Sequence, residues 1–90
     1  MLHVVSQSPF SDTSLQSCLD FMQADDQLLL IQDAVIATTT SLWTQQLQDK
    51  TIYVLQDDLT ARGLTAKVGI TLDMAGYVAL VIEHGSPFCW

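Results

Sequence analysis

The chain has 90 residues, enough for a single domain over 1–90 that buries only about 60–65% of the surface exposed by its unfolded form. Apolar residues make up 49% and charged residues 14%, more apolar surface than a compact monomer of this size hides, so we expect an oligomeric subunit. The chain has 3 Lys and Arg residues and 10 Asp and Glu residues. The resulting net charge of −7 argues against direct binding to a nucleic-acid backbone, which requires clustered cations.

Residues 2–5 form an apolar, partly β-branched run that predicts a first strand, closed by the polar, proline-containing loop 6–9. His3 lies on this strand, where we expect a hydrogen-bonded histidine that faces the core or the loop. The segment has neither a basic stretch nor a long apolar one, so no export signal is predicted and we expect a cytoplasmic protein.

A first helix is predicted next, with Ser11 or Asp12 as its N-cap. Its apolar residues recur at i, i+3, i+4 and i+7, the spacing of an amphipathic helix: Leu15, Cys18, Leu19 and Met22. Cys18 therefore lies on the apolar face, where it is best interpreted as a small buried hydrophobic residue. The alternative is a thiol that carries sulfur as a persulfide, but no cation lies within a helical turn to stabilise its thiolate.

A turn at Asp25 and Asp26 leads into residues 27–32, which contain four consecutive aliphatic residues. Such a run is typical of a strand covered on both faces of a parallel sheet, so we expect it at the centre of that sheet. Asp33 is predicted to cap the next helical segment. Apolar residues between 35 and 47 have roughly helical spacing, but the Thr-Thr-Thr-Ser segment at 38–41 favours helix poorly, which predicts two short helices with a break.

Residues 52–55 predict a third strand, which ends at Asp57 and Asp58. Two acids at a strand end can bind a cation or accept a phosphoryl group, but that chemistry needs a second acidic pair after the first strand, where this chain has Ser6 and Gln7. We therefore interpret Asp57 or Asp58 as the cap of a helical turn that continues to Arg62. Gly63 is a suitable residue for the left-handed position after that turn.

Residues 68–72 predict a fourth strand, and residues 77–82 suit a strand or a helix by composition. Asp73, as a cap, and the alternation of strands and helices favour a helix for the latter. This segment is also the longest apolar run, and its six residues fall well short of the roughly 20 that cross a bilayer, so no membrane segment is predicted. The alternation as a whole predicts an α/β domain with a parallel sheet and helices on both faces.

The residue types needed for metal or phosphate binding are not organised in this sequence. Neither a glycine-rich turn after the first strand nor a lysine-bearing phosphate loop is present. No closely spaced pair of His or Cys residues predicts a metal site, and His84 is better placed to interact with the end of the last helix. Cys89 is expected to be exposed beside Trp90 and is a weaker sulfur-carrier candidate than Cys18. We therefore expect no catalytic residue, cofactor or metal.

Several segments together resemble the TusB/DsrH family of small sulfur-relay subunits. They span nearly the whole chain in the order in which the family has them: Leu-His at 2–3, Ser-Pro-Phe at 8–10, Leu-Leu-Leu-Ile-Gln-Asp-Ala-Val at 28–35, Tyr-Val-Leu at 53–55, Asp-Leu at 58–59, Ala-Arg-Gly-Leu at 61–64, and Trp90. The resemblance implies a three-layer α/β/α domain with a mainly parallel sheet of about five strands. One departure is Ala34, where the family often has glycine.

The resemblance also implies partners and a pathway. It implies a heterohexamer with TusC/DsrF-like and TusD/DsrE-like subunits. In such a complex, persulfide sulfur passes between proteins towards 2-thiolation of the wobble uridine of tRNA. The resemblance also implies that the main active cysteine belongs to the TusD-like partner. The segment 14–19 resembles the cysteine-bearing first helix of DsrH-type chains, which implies the alternative of a sulfur-oxidation subunit with Cys18 as a secondary carrier. A homomeric binding module of the same fold is the third interpretation.

Overall fold

The protein is built on one parallel β-sheet. In a computed structural model that describes all 90 residues, five strands form the sheet in the order β4-β3-β2-β1-β5, and every neighbouring pair is parallel. The strands are β1 Leu2–Val5, β2 Gln27–Leu30, β3 Thr51–Leu55, β4 Ile70–Leu72 and β5 Phe88–Cys89. This arrangement confirms the predicted α/β class and the central position of β2.

Helical segments connect successive strands and cover the sheet unequally. Four α-helices and one 3₁₀ helix occur, namely α1 Ser14–Phe21, the 3₁₀ helix Gln32–Thr39, α2 Ser41–Leu47, α3 Gln56–Ala61 and α4 Met74–His84. All except α4 contribute buried residues to the larger core on one face of the sheet, whereas α4 alone covers the other face. No helix is both long and apolar enough to cross a membrane.

The two sides of β1 show how the strands supply both cores. Val5 belongs to the larger core with Leu28 and Val54, whereas Leu2 and Val4 pack under α4 with Leu80. Because side chains alternate across a strand, consecutive apolar residues pack against helices on both faces of the sheet. Helices on both faces of the sheet therefore explain why consecutive residues of the first three strands are apolar.

The segment between β2 and β3 forms the two predicted short helices, broken at Thr40, where the backbone is extended. The first is a 3₁₀ helix rather than an α-helix. Ala34 lies inside it and is fully buried, and the left-handed backbone in this region occurs at Gln32, with φ of 50°. The alanine at position 34 therefore fits the turn without requiring glycine.

The N-cap residue of α1 is Thr13, so the predicted cap at Ser11 or Asp12 is wrong, because the helix begins only at Ser14 and no side chain caps it. Asp12 lies one residue before the N-cap and accepts the Ser14 N–H at 2.7 Å in a local turn.

Two other helix ends agree with the sequence. Asp73 caps α4, which settles this segment as a helix, because its carboxylate accepts the Gly76 N–H at 2.8 Å. Gly63, with φ of 65°, follows the end of α3 as predicted.

Strand β4 begins at Ile70, two residues later than predicted. Gly69 directly precedes it with φ of 92°, and a Cβ at this position would lie 3.2 Å from the Ile52 carbonyl oxygen. The chain therefore turns closely over β3 before it joins the sheet, which shortens the strand.

Candidate functional site

The acids at the end of β3 do not cap the following helix. Helix α3 begins at Gln56, its N-cap residue is Leu55, and no side chain accepts a hydrogen bond there. The predicted capping role of Asp57 or Asp58 is thus wrong, because β3 passes into α3 without an intervening turn. Both acids lie in the first turn instead, where a negative charge still interacts favourably with the helix dipole.

Asp58 instead connects α3 to the end of β2. Its carboxylate accepts the Gln32 N–H at 2.7 Å, and this bond holds the left-handed residue that opens the 3₁₀ helix. Arg62 completes the connection by donating from Nε and Nη2 to Asp33 Oδ1, at 3.2 and 2.9 Å. Asp33 therefore pairs with Arg62 and does not cap the 3₁₀ helix, whose N-cap residue is Ile31, so that prediction is also wrong.

Asp33, Asp58 and Arg62 together form a structural brace at this edge of the sheet. Its acids are used by a backbone N–H and by Arg62, and none faces a second acidic pair. No group of three or more His, Cys, Asp or Glu side chains is placed to hold a metal ion. A shallow groove of about 340 Å³ lies beside the brace, lined by Ser8, Ile36 and Leu64 with the paired Asp33 and Arg62.

Cys18 lies in the larger core, on the inner face of α1, as its helical phase predicts. It is fully buried, in the same core as Leu15, Val5 and Leu28. Burial, and to a lesser extent the negative charge of Asp26, raises the pKa of the Cys18 thiol to about 12. Because the thiolate is the reactive form of cysteine, both the burial and the raised pKa oppose reaction at this thiol in the folded chain.

Cys89 is exposed on strand β5, between two residues of an aromatic cluster in the sequence. The rings of Phe21, Phe88 and Trp90 contact one another, with centroids 5.2 Å apart for Phe88 and Trp90 and 5.6 Å for Phe21 and Trp90. No acid or base contacts the Cys89 thiol. Cys89 pairs with Val4, which packs under α4, so its side chain lies on the face of β5 opposite these rings.

A chain of hydrogen bonds behind these rings joins both ends of the protein. Trp90 Nε1 donates to His3 Nδ1 at 3.1 Å, and because an indole N–H only donates, Nδ1 is the acceptor and the proton of the neutral ring is on Nε2. That Nε2–H donates to Asp26 Oδ2 at 2.9 Å. The fully buried His3 is thus a hydrogen-bonded core residue, one of the two positions predicted for it.

Asp26 is the anchor of this chain of bonds. It also accepts from the Gln23 N–H at 3.1 Å and from the amino group of Met1 at 3.1 Å. The hydrogen bond from His3 is the largest of several effects, with the Gln23 and Met1 bonds, that hold the pKa of the Asp26 carboxyl well below its usual range. The sequence alone places Asp26 only in a turn, because nothing in the local pattern links it to residues 3 and 90.

The outer surface of α4 is apolar and is not covered by another element of the fold. Met74, Val78 and Ile82 lie on it at i, i+4 and i+8, and we call these three residues the α4 stripe. All three are exposed although each is apolar. An exposed apolar stripe of this kind is typical of a surface that contacts another molecule.

Known proteins are similar to this chain along its whole length. The family model described as "DsrH like protein" matches residues 7–86 of this chain. Proteins named "Protein TusB" from Escherichia coli O81 (strain ED1a) and from Escherichia coli O6:K15:H31 (strain 536 / UPEC) are each 34% identical over 96 aligned residues. Each alignment covers 100% of this chain and 100% of the relative.

Proposed function

The chain belongs to the TusB/DsrH family, and on that premise we propose that it is a subunit of a sulfur-relay complex that serves 2-thiolation of the wobble uridine of tRNA. In this proposal it assembles with a TusC/DsrF-like and a TusD/DsrE-like subunit into a heterohexamer. The chain contributes surfaces that hold and dock the other proteins, and persulfide sulfur passes through a cysteine of a partner.

The burial of Cys18 is the observation that carries the non-carrier role. Persulfide transfer requires a thiolate to attack the sulfane sulfur of a donor, so the two sulfur atoms must meet. Cys18 has no exposed surface and a pKa of about 12, which opposes both requirements. The relay in this proposal therefore depends on a thiol other than Cys18.

The charge of the chain supports an indirect relation to tRNA. Its net charge is −7, and two of its three cations are engaged in ion pairs, Arg62 with Asp33 and Lys50 with Asp49. A surface of this kind repels a phosphate backbone and suits contact with proteins. The tRNA in this proposal meets only a later member of the relay.

A DsrH-type subunit in sulfur oxidation is the second candidate, favoured by the position of Cys18 on the first helix. For Cys18 to act there as a secondary carrier, α1 must leave the core, because Leu15 and Leu19 on the same helix face are buried with it. Cys89 is exposed and is the other candidate carrier.

Complementation separates these functions. In a strain that lacks this gene, we expect thiolated wobble uridine, measured by mass spectrometry of digested tRNA, to disappear and to return with the unsubstituted chain. The variants Cys18→Ala and Cys89→Ser are expected to restore it equally, provided that both fold. Unchanged thiolation in the deletion strain would exclude the tRNA pathway, whereas a Cys18→Ala chain that assembles but fails to restore it would make Cys18 a carrier.

A further inference from the structure

Helix α4 has the composition of a buried helix but the position of a surface helix. Of its 11 residues, only Glu83 and His84 are ionisable apart from Tyr77, and its outer side presents the α4 stripe, with Met74 and Val78 each 51% exposed and Ile82 76% exposed. A surface helix of a self-contained domain normally has polar residues on this side. The stripe therefore indicates a face that is covered when the protein is in its complex.

The stripe forms one wall of a groove and continues onto the sheet. The groove has a volume of about 290 Å³, and every residue that lines it is apolar: Met74, Tyr77, Val78, Val81 and Ile82. On the neighbouring edge strand, Ile70 pairs with Tyr53, whose side chain packs against the α4 core, so both point to the α4 side. Ile70 is 55% exposed and extends the apolar surface beyond the helix.

The rim of this surface is acidic. Asp73 precedes the stripe and Glu83 follows it, while Arg62 and Lys50 are paired with acids elsewhere in the chain. Electrostatic complementarity therefore favours a partner that brings cations to face these two acids.

A second copy of this chain does not meet that requirement. Two copies that pack α4 against α4 about a two-fold axis at Val78 bring residue 73 of one copy opposite residue 83 of the other. Asp73 would then face the partner copy's Glu83, so like charges would meet at both ends of the contact. The net charge of −7 on each copy adds long-range repulsion.

We propose that the α4 stripe and Ile70 form the docking surface for a different protein subunit, whose apolar contact strip is flanked by Lys or Arg residues. This inference rests on the proposed function, which supplies the proteins used as probes: the TusC/DsrF-like and TusD/DsrE-like subunits from the same organism. It goes beyond that function by assigning the surface and the charge of the partner.

The apolar part is tested with Ile82→Glu, a substitution at the most exposed apolar residue of the helix. Leu42→Glu is the matched control, because Leu42 is 64% exposed on α2, on the opposite side of the sheet. Each variant is mixed with the two purified probes, and the dissociation constant is measured by titration calorimetry. We expect Ile82→Glu to weaken binding by about 100-fold or more and Leu42→Glu to leave it within about twofold, because buried interface anchors dominate binding energy.

The charge of the rim is tested with Glu83→Lys, which leaves the apolar stripe intact and keeps the inference testable if Ile82→Glu folds poorly. Asp20→Lys changes the net charge equally, on α1 across the sheet, where the Asp20 carboxylate accepts a hydrogen bond from Gln16 of the same helix. We expect Glu83→Lys to weaken binding by about tenfold at low salt and less at high salt. Asp20→Lys is expected to have a clearly smaller effect.

Each outcome decides one part of the inference. If the unsubstituted chain binds and both α4 variants bind equally well, the docking surface is wrong while the proposed function stands. If Ile82→Glu weakens binding but Glu83→Lys does not, the basic partner rim is wrong. A homodimer that Ile82→Glu dissociates would make a second copy the occupant, and failure of the unsubstituted chain to bind either probe would overturn the proposed function and this inference together.

Discussion

Isolating each thiol tests the claim that Cys18 is inert in the folded protein. The Cys89→Ser chain retains only Cys18, and the Cys18→Ser chain retains only the exposed Cys89. With a pKa of about 12 for the Cys18 thiol, roughly one molecule in 30,000 carries its thiolate at about pH 7.5, since that pH lies about 4.5 decades below the pKa. An ordinary thiol of pKa 9.0 has roughly one thiolate in 30 at the same pH.

Alkylation by iodoacetamide, followed by intact mass, measures this difference. Ionisation alone predicts a rate for Cys18 about 1,000-fold below that of an ordinary thiol, and burial lowers it further. We expect the rate to rise about tenfold per pH unit through pH 9 and 10, because the pKa is not yet reached. Full unfolding in guanidinium should bring the rate to that of an ordinary cysteine, which serves as the internal control.

The same two variants are then incubated with a persulfide donor. Addition of sulfur to the Cys89→Ser chain, or alkylation of native Cys18 at the rate of an ordinary thiol, would refute the reasoning from burial. Sulfur uptake by the Cys18→Ser chain alone would instead identify Cys89 as the only reachable thiol.

Three further substitutions test the fold. Asp26→Asn should be less stable than the unsubstituted chain at pH 7. Because the pKa of the Asp26 carboxyl is lowered on folding, the difference in urea midpoint should narrow below about pH 4, and a constant difference would contradict the bonds from His3, Gln23 and Met1 to this carboxylate. Trp90→Phe should lower stability by about 1–2 kcal/mol by leaving buried Nδ1 of His3 without a donor, and an unchanged urea midpoint would contradict that bond. Gly63→Ala should lower the free energy of unfolding by about 1 kcal/mol, because alanine is strained at the positive φ of this residue and no atom lies within 4 Å of the added methyl group. An unchanged free energy of unfolding would show that the backbone relaxes.

Local patterns were sufficient to predict most elements of the fold. The β-branched and aliphatic runs located four strands, and Asp73 distinguished a helix from a strand in a segment whose composition suited both. The hydrogen bonds at Gly63 explain why its position was predictable: its N–H donates to the Thr60 carbonyl, and the Leu64 N–H donates to the Leu59 carbonyl. These are interactions between near neighbours in sequence.

Long-range pairing was beyond the reach of the sequence. Strand β5 has two residues and exists because the chain lies alongside β1, which no local preference specifies. Asp58 and Asp33 were assigned to caps because acids near helix starts often cap, whereas their actual partners are 26 and 29 residues away in sequence. The bond from Trp90 to His3 spans 87 positions and holds Trp90 beside Phe21 and Phe88.

The short outer strands of the sheet limit how this protein aggregates and assembles. Edge strands β4 and β5 have three and two residues, so neither side offers a row of unpaired backbone groups long enough to template a strand from another molecule. Growth of the sheet into fibrils or mixed sheets is thereby disfavoured, even in a chain that is 49% apolar. Association is left to side-chain surfaces, where charge and shape distinguish one neighbour from another.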